Sequence, residues 1–243
     1  MKRSNTHAVF LNWAILASLL VFGTCVSWDL GLIQKTYLLD SSRICLFIFV
    51  GCIAGTLMAG WRSHFLATQF GLLCQLQELV ATAGWRALHD KAVYPLGVSI
   101  CYDYVCHQDP KAHPSESQLL AEVMSEKARG PHQVGWFING LLIKLGLLGT
   151  VVGFVMMLSS IDGLADLDIK DIKNLMQQMT TGMGVAMYTT LVGLIGSVFL
   201  GMQFLYLDRQ ADRLVADTVT FAHRYNSAHD PRVETALAIQ ARV

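Results

Sequence analysis

Four long stretches of this sequence carry almost no charge. They cover residues 8–28, 44–61, 134–161 and 174–207, and the only charged residue in them is Lys144. About 20 apolar residues in a helix are enough to cross the ~30 Å hydrocarbon layer of a bilayer. The stretches lack the alternation of barrel strands, and a backbone in lipid must satisfy its own hydrogen bonds. The sequence therefore predicts an all-α integral membrane protein with four transmembrane helices.

The rest of the chain has the charge density of an ordinary soluble protein. It holds all but one of the 18 basic and 18 acidic residues. The resulting net charge of zero does not favour nucleic-acid binding. The hydrophobic content of 53% excludes disorder, and a soluble domain of this composition would have to expose large apolar patches. The lipid bilayer is therefore the expected environment.

The stretches divide the chain into four parts. We predict an N-terminal hairpin of two membrane helices (1–61), a cytoplasmic helical segment (62–133), the third and fourth membrane helices (134–207), and a cytoplasmic C-terminal helix and tail (208–243). With the N-terminus inside, the cytoplasmic segments hold 13 Lys and Arg residues and the outer loops hold 4. The excess of positive charge on the inner side predicts that both termini are cytoplasmic.

The segments between and after the membrane helices also show helical patterns. Apolar residues at helical spacing predict that the second membrane helix continues through residues 63–92. Ser115 and Gln118 have the spacing of a capping box, and Gly130-Pro131 would end the helix that this box opens. A second apolar stripe, from Ala211 to Ala222, predicts that the fourth membrane helix also continues beyond the bilayer.

The third and fourth membrane helices are rich in small residues at helical spacing. Such residues allow two helix backbones to approach closely in lipid, or they can line a route for an ion. The small residues of the third stretch are Gly140, Gly146, Gly149, Thr150 and Gly153, and those of the fourth are Gly182, Ala186, Thr189, Thr190, Gly193, Ser197 and Gly201.

The two local sequences LGLLGTVVGFVMML (145–158) and GMGVAMYTTLVGLIG (182–196) resemble the pore helices of the MotA/TolQ/ExbB family. This family comprises the ion-channel subunits of bacterial stator and energy-transduction complexes. The resemblance runs from near Leu141 to Arg209, and its G-x-x-GT-x-x-G pattern corresponds to Gly146, Gly149, Thr150 and Gly153. Four membrane helices with a long cytoplasmic segment are more similar to the MotA topology than to the three-span ExbB topology.

The resemblance implies a homopentamer of this subunit in a bacterial inner membrane. The third and fourth helices would line a central pore around two copies of a MotB/ExbD/TolR-like partner, whose single membrane span carries a proton-binding Asp. No acidic residue lies in the four stretches of this chain, so a partner would have to supply the carboxylate. Thr150 and Thr190 would then offer hydroxyls to that carboxylate, and Thr189 is expected to line the ion pathway with them. Gly146, Gly149, Gly153, Gly182, Ala186, Gly193 and Ser197 would pack the pore helices.

Three questions stay open at the level of sequence. The transported ion is expected to be H⁺, but the adjacent Thr189 and Thr190 resemble sodium-driven stators, and oxygen ligands suit Na⁺. Ile143 stands where the family commonly has Pro. The next residue, Lys144, is either a charge at the membrane interface, reached by its flexible side chain, or part of a gate. A membrane scaffold whose small residues only pack helices is the alternative to a channel.

Enzymatic motifs are absent from the sequence, so we expect no catalytic residues. We also expect no resident cofactor or metal. Cys101, Cys106, His107 and His113 could be drawn as a zinc site, but the cysteine spacing is loose and we predict a loop there. The acidic residues between 162 and 171 lack the spacing of a calcium-binding loop. Cysteines in spans and on the cytoplasmic side do not favour disulfides.

Overall fold

The computed structural model describes residues 5–29, 31, 34, 43–83, 99–107, 114–130, 132–159 and 169–228. Within these ranges the regular structure is entirely helical. The six helices are α1 (Asn5–Asp29), α2 (Ile44–Ala83), α3 (Ile100–His107), α4 (Pro114–Arg129), α5 (His132–Ser159) and α6 (Ile169–Ala228).

Four of these helices are long and apolar enough to cross a membrane: α1, α2, α5 and α6. They contain the four nearly uncharged stretches of the sequence, apart from residues 160 and 161, which lie outside the described residues. This confirms the predicted all-α membrane protein with four spans. At 1.5 Å per residue, α6 with its 60 residues is about 90 Å long. This length is about three times the hydrocarbon thickness, so α6 continues well beyond a bilayer.

The helix ends follow from local backbone chemistry. Gly31 has a φ of +68° and donates its N–H to the Trp28 carbonyl over 2.9 Å, directly after α1. A glycine in this conformation ends helices because it meets no Cβ penalty. The Gly130 N–H donates to the Glu126 carbonyl over 2.6 Å and ends α4. The end that Gly130-Pro131 predicted is therefore observed.

The chain forms two compact units. The first comprises Met1–Leu11, Arg62–His132 and Tyr206–Val243, and the second comprises Asn12–Trp61 and Gln133–Leu205. In the described part of the first unit, buried apolar side chains come from α2, α3, α4 and α6. They include Leu66, Leu73, Leu76, Tyr104, Met124, Leu214 and Ala222. The buried faces of α2 and α6 thus coincide in part with the two predicted stripes.

The prediction of a loop around Cys101 and Cys106 was wrong, because Ile100–His107 forms α3. The carboxamide oxygen of Gln69, on α2, accepts hydrogen bonds from the Ile100 N–H over 3.1 Å and from the Ser99 hydroxyl over 3.3 Å. The N–H groups at the start of a helix have no partner within the helix, and a buried side-chain acceptor satisfies one of them here. A residue 31 positions earlier in the chain therefore stabilises the start of α3.

In the second unit, large apolar side chains point away from the helix contacts. On α5, Phe137 and Val151 are exposed in the single chain, as are Met187 and Leu194 on α6. A soluble protein would not expose so much apolar surface. Lipid, or other protein in the membrane, is the environment that these side chains require.

Candidate ion pathway on helices α5 and α6

The helices α5 and α6 approach each other backbone to backbone through glycines. A Cβ atom placed on Gly153 would lie 2.6 Å from the Gly182 carbonyl oxygen and 2.7 Å from the Ala186 nitrogen. A Cβ on Gly182 would lie 2.8 Å from the Gly153 carbonyl oxygen. Real Cβ atoms essentially never come closer than 3.0 Å to such atoms. The two helices can keep this distance only because both residues lack a side chain.

The same contact continues toward the first turns of α5. A Cβ on Gly193 would lie 3.0 Å from the Leu142 carbonyl oxygen and 3.1 Å from the Gly146 Cα. Gly149 lies directly against the Thr189 side chain. Every glycine that the G-x-x-GT-x-x-G pattern singled out on α5 therefore faces α6. By contrast, a Cβ on Gly140 would meet no atom within 4 Å.

The Thr190 hydroxyl joins the two helices. It donates to the Gly146 carbonyl oxygen on α5 over 3.2 Å and to the Ala186 carbonyl oxygen on its own helix over 3.1 Å. Thr190 is only partly buried. One donor shared between two carbonyls leaves both hydroxyl lone pairs for a further partner.

The other two threonines bond only to their own helices. Thr189 is fully buried against Gly149, and its hydroxyl donates to the Val185 carbonyl over 2.9 Å and to the Ala186 carbonyl over 3.1 Å. Thr150 is partly buried and donates to the Leu147 carbonyl over 2.6 Å. Within one chain, therefore, Thr150 and Thr190 keep some accessible surface while Thr189 keeps none.

The remaining residues predicted for this site fall into buried and exposed groups. Ser197 is 6% exposed and donates its hydroxyl to the Leu194 carbonyl over 2.9 Å. Ala186 is partly buried in the contact with Gly153. Lys144 and Ile143 are exposed on α5, on a side away from the glycine contact.

Two amide side chains in the second unit, one buried and one partly buried, were not predicted from the sequence. Gln203 is fully buried, and neither atom of its carboxamide has a hydrogen-bond partner among the described residues. The Asn139 amide nitrogen lies against Gly201, where a Cβ would be 3.3 Å away. A buried polar group without a partner is costly. The signal in the sequence was the position of Asn139 and Gln203 among apolar neighbours within the third and fourth stretches.

The described residues contain no group of three His, Cys, Asp or Glu side chains that could hold a metal ion. The six cysteines are free thiols. Burial raises the pKa of the Cys101 thiol on α3, and the Thr218 hydroxyl lies 3.2 Å from its sulfur. His113, which would complete the zinc site considered from the sequence, lies outside the described residues.

Residues 115–219 match the MotA/TolQ/ExbB proton channel family. This match confirms the family that the glycine patterns predicted. The matched region covers somewhat less than half of the chain, and it includes nearly all of α4, the whole of α5 and most of α6. It begins before and ends after the motif-bearing residues 141–209. Comparisons with curated proteins and with solved structures gave no match.

Proposed function

Because residues 115–219 belong to the MotA/TolQ/ExbB proton channel family, we propose that this multi-pass membrane protein is the proton-channel subunit of a motor or energy-transduction complex. Five copies surround a dimer of a single-span, MotB/ExbD/TolR-like partner in a bacterial inner membrane, with both termini in the cytoplasm. Proton flow through the complex is converted into rotation or other mechanical work. The family match to α5 and α6 carries this proposal.

The distribution of charge supports the need for a partner. The four uncharged stretches contain no Asp or Glu. The proposed proton relay needs a carboxylate at membrane depth, and the four stretches of this chain do not supply one. The partner's membrane Asp fills that role in the proposed complex.

The geometry of the threonines supports their assignment to the pathway. Thr150 and Thr190 are partly exposed in the single chain, and the hydroxyl of each keeps its lone pairs available. They would act on the partner's carboxyl group directly. Thr189 is fully buried against Gly149, so its role is to support the α5–α6 contact. With one of the two adjacent threonines turned inward, the support that this pair gives to Na⁺ over H⁺ is weakened.

The test uses the chain purified together with its partner, which we expect to be encoded by a neighbouring gene. The complex is reconstituted in liposomes, and proton uptake is followed with a pH-sensitive dye under an imposed membrane potential. Thr190→Val should assemble normally but lose most of the proton flux, because it removes the hydroxyl and keeps the volume. Thr190→Ser should retain flux.

The matched control is Thr181→Val. Thr181 lies on the same helix, is exposed, and donates only to its own helix, to the Gln177 carbonyl over 2.9 Å. Equal flux from wild type, Thr190→Val and Thr181→Val would remove Thr190 from the pathway. A chain that binds no single-span partner and passes no ion would favour a membrane scaffold. Flux that needs Na⁺ instead of a proton gradient would favour a sodium-driven subunit.

A further inference from the structure

Three charged or titratable residues from distant parts of the sequence meet in the first unit. The Arg62 Nε–H on α2 donates to the His132 Nε2 over 3.2 Å, and the His132 Nδ1 is hydrogen-bonded to an Asp208 carboxylate oxygen on α6. His132 is the first residue of α5 and is 2% exposed. All three lie outside the four uncharged stretches of the sequence. We refer to Arg62, His132 and Asp208 as the histidine cluster.

The cluster also holds the end of α4. The Nη2 atom of Arg62 donates hydrogen bonds to the Lys127 carbonyl over 3.2 Å and to the Ala128 carbonyl. These carbonyls belong to the last turn of a helix, where no N–H of the helix itself is available. Arg62 lies over the Phe65 ring at 4.4 Å, which orients its guanidinium group. One side chain therefore joins α2, α4 and the start of α5.

These hydrogen bonds specify the neutral form of His132. The guanidinium group of Arg62 can only donate, so the His132 Nε2 must be an unprotonated acceptor. The His132 Nδ1 then carries the proton and donates it to Asp208. A second proton on the imidazole would place an N–H against the N–H of Arg62 and two positive charges in contact. The bond between α2 and α5 would be lost.

The surroundings of His132 also oppose its charged form. Burial lowers the pKa of His132, and Arg62 on α2 and Arg129 on α4 add to this effect, whereas Asp208 on α6 works against it. Arg129 itself is paired with Asp212 on α6 through a 2.6 Å hydrogen bond from its Nε. Because the folded chain favours neutral His132, its pKa is lower in the folded than in the unfolded state. The stabilisation is therefore present at neutral pH, and it is lost as the pH falls through the unfolded-state pKa and then through the folded-state pKa.

We propose that the histidine cluster is a pH-sensitive joint, which holds α2, α4, α5 and α6 together while His132 is neutral and loosens when His132 is protonated. The inference goes beyond the proposed channel function and does not depend on the ion that is carried. With the proposed orientation of the chain, the joint would respond to acidification of the cytoplasm, which is what proton entry produces.

The first test is a titration of the full chain in detergent by NMR of ¹³C-labelled histidine rings, with the His132 signal assigned from its loss in His132→Gln. We expect His132 to titrate at lower pH than the other histidines. Arg62→Gln should raise its midpoint, since it removes the donor that blocks Nε2. Arg129→Gln removes a positive charge that is already paired with Asp212, so it should raise the midpoint by less. A His132 that titrates with the other histidines, or a midpoint that Arg62→Gln leaves unchanged, would overturn the proposal.

The second test measures the apparent unfolding temperature at about pH 7.5 and about pH 5.5, on either side of the ordinary histidine pKa. Acid should lower it by roughly 2–4 °C more in the wild type than in His132→Gln. The control His64→Gln, which changes an exposed histidine on α2, should behave like the wild type. Equal acid sensitivity of all three proteins would overturn the proposal. If His132→Gln fails to accumulate, Arg62→Gln takes its place. An acid-induced drop in unfolding temperature that is smaller in Arg62→Gln than in the wild type supports the proposal, and an equal drop overturns it.

None of these readouts depends on ion transport. If the chain shows no proton flux but Arg62→Gln raises the midpoint of the His132 titration, the proposed channel is refuted and the proposed joint is retained. A working channel whose His132 titrates normally would do the reverse.

Discussion

Replacement of Gly153 by Ala should separate α5 from α6, although alanine normally favours a helix. The new Cβ would lie 2.6 Å from the Gly182 carbonyl oxygen, whereas ordinary contact begins at 3.4 Å, a shortfall of about 0.8 Å. The atom in the way belongs to the backbone and cannot rotate aside, so the helices themselves must move. Forced overpacking of this kind typically costs about 1–3 kcal/mol. The gain in helix propensity from Gly to Ala, about 1 kcal/mol at most, does not fully offset it.

The matched control is Gly140→Ala on the same helix, where the added methyl group meets no atom within 4 Å. Both variants gain the same helix propensity, so their difference isolates the steric cost. In detergent, the apparent unfolding temperature of Gly153→Ala should lie at least about 2 °C below that of Gly140→Ala. Gly182→Ala opens the same contact from the other side, so the double variant with Gly153→Ala should lose less than the sum of the two single losses. Equal stability of Gly153→Ala and Gly140→Ala would refute the close α5–α6 contact.

Two further predictions concern α3 and its neighbours. Gln69→Leu removes the acceptor of the Ile100 N–H and should destabilise the chain by about 1–3 kcal/mol, as measured by unfolding in detergent, whereas Gln75→Leu at an exposed position of the same helix should not. The hydrogen bond from Lys127 lowers the pKa of Asp103, so the stabilisation by this pair exists above about pH 4 and is lost in stronger acid. Both side chains are about half exposed, so the pH dependence of unfolding in Asp103→Asn should differ from wild type by well under 1 kcal/mol.

The membrane helices could be predicted from the sequence because lipid imposes a constraint that is visible in composition alone. Apart from Lys144, the spans contain no charged residue, and no knowledge of neighbouring helices is needed to see this. The glycine pattern was informative for a related reason, since close backbone contact requires small residues on both partners. Gly146, Gly149 and Gly153 accordingly lie at the contact with α6.

Features that depend on residues distant in the sequence could not be predicted in this way. The start of α3 is stabilised by Gln69, and the eight residues of α3 are too few to show a clear periodicity. The bond between Arg62 and His132 joins residues 70 positions apart. The sequence also could not show which of two adjacent threonines is buried. Thr189 and Thr190 are separated by about 100° around the helix, and only the packing against α5 decides that Thr189 is the buried one.

The threonine hydroxyl groups of α5 and α6 would interact differently with a protonated carboxyl group and with a carboxylate. Thr150 and Thr190 already donate their protons to backbone carbonyls, and their lone pairs are their remaining capacity. They can therefore accept a hydrogen bond from a protonated carboxyl group without any rearrangement. A carboxylate can only accept, so Thr190 would have to turn its proton away from the Gly146 carbonyl, at a cost of about 0.5–1.5 kcal/mol. In the proposed complex, loss of a proton by the partner's Asp would thus weaken the hydrogen bond from Thr190 to the Gly146 carbonyl, which joins α6 to α5. The charge of the partner would then be coupled to the packing of the pore helices.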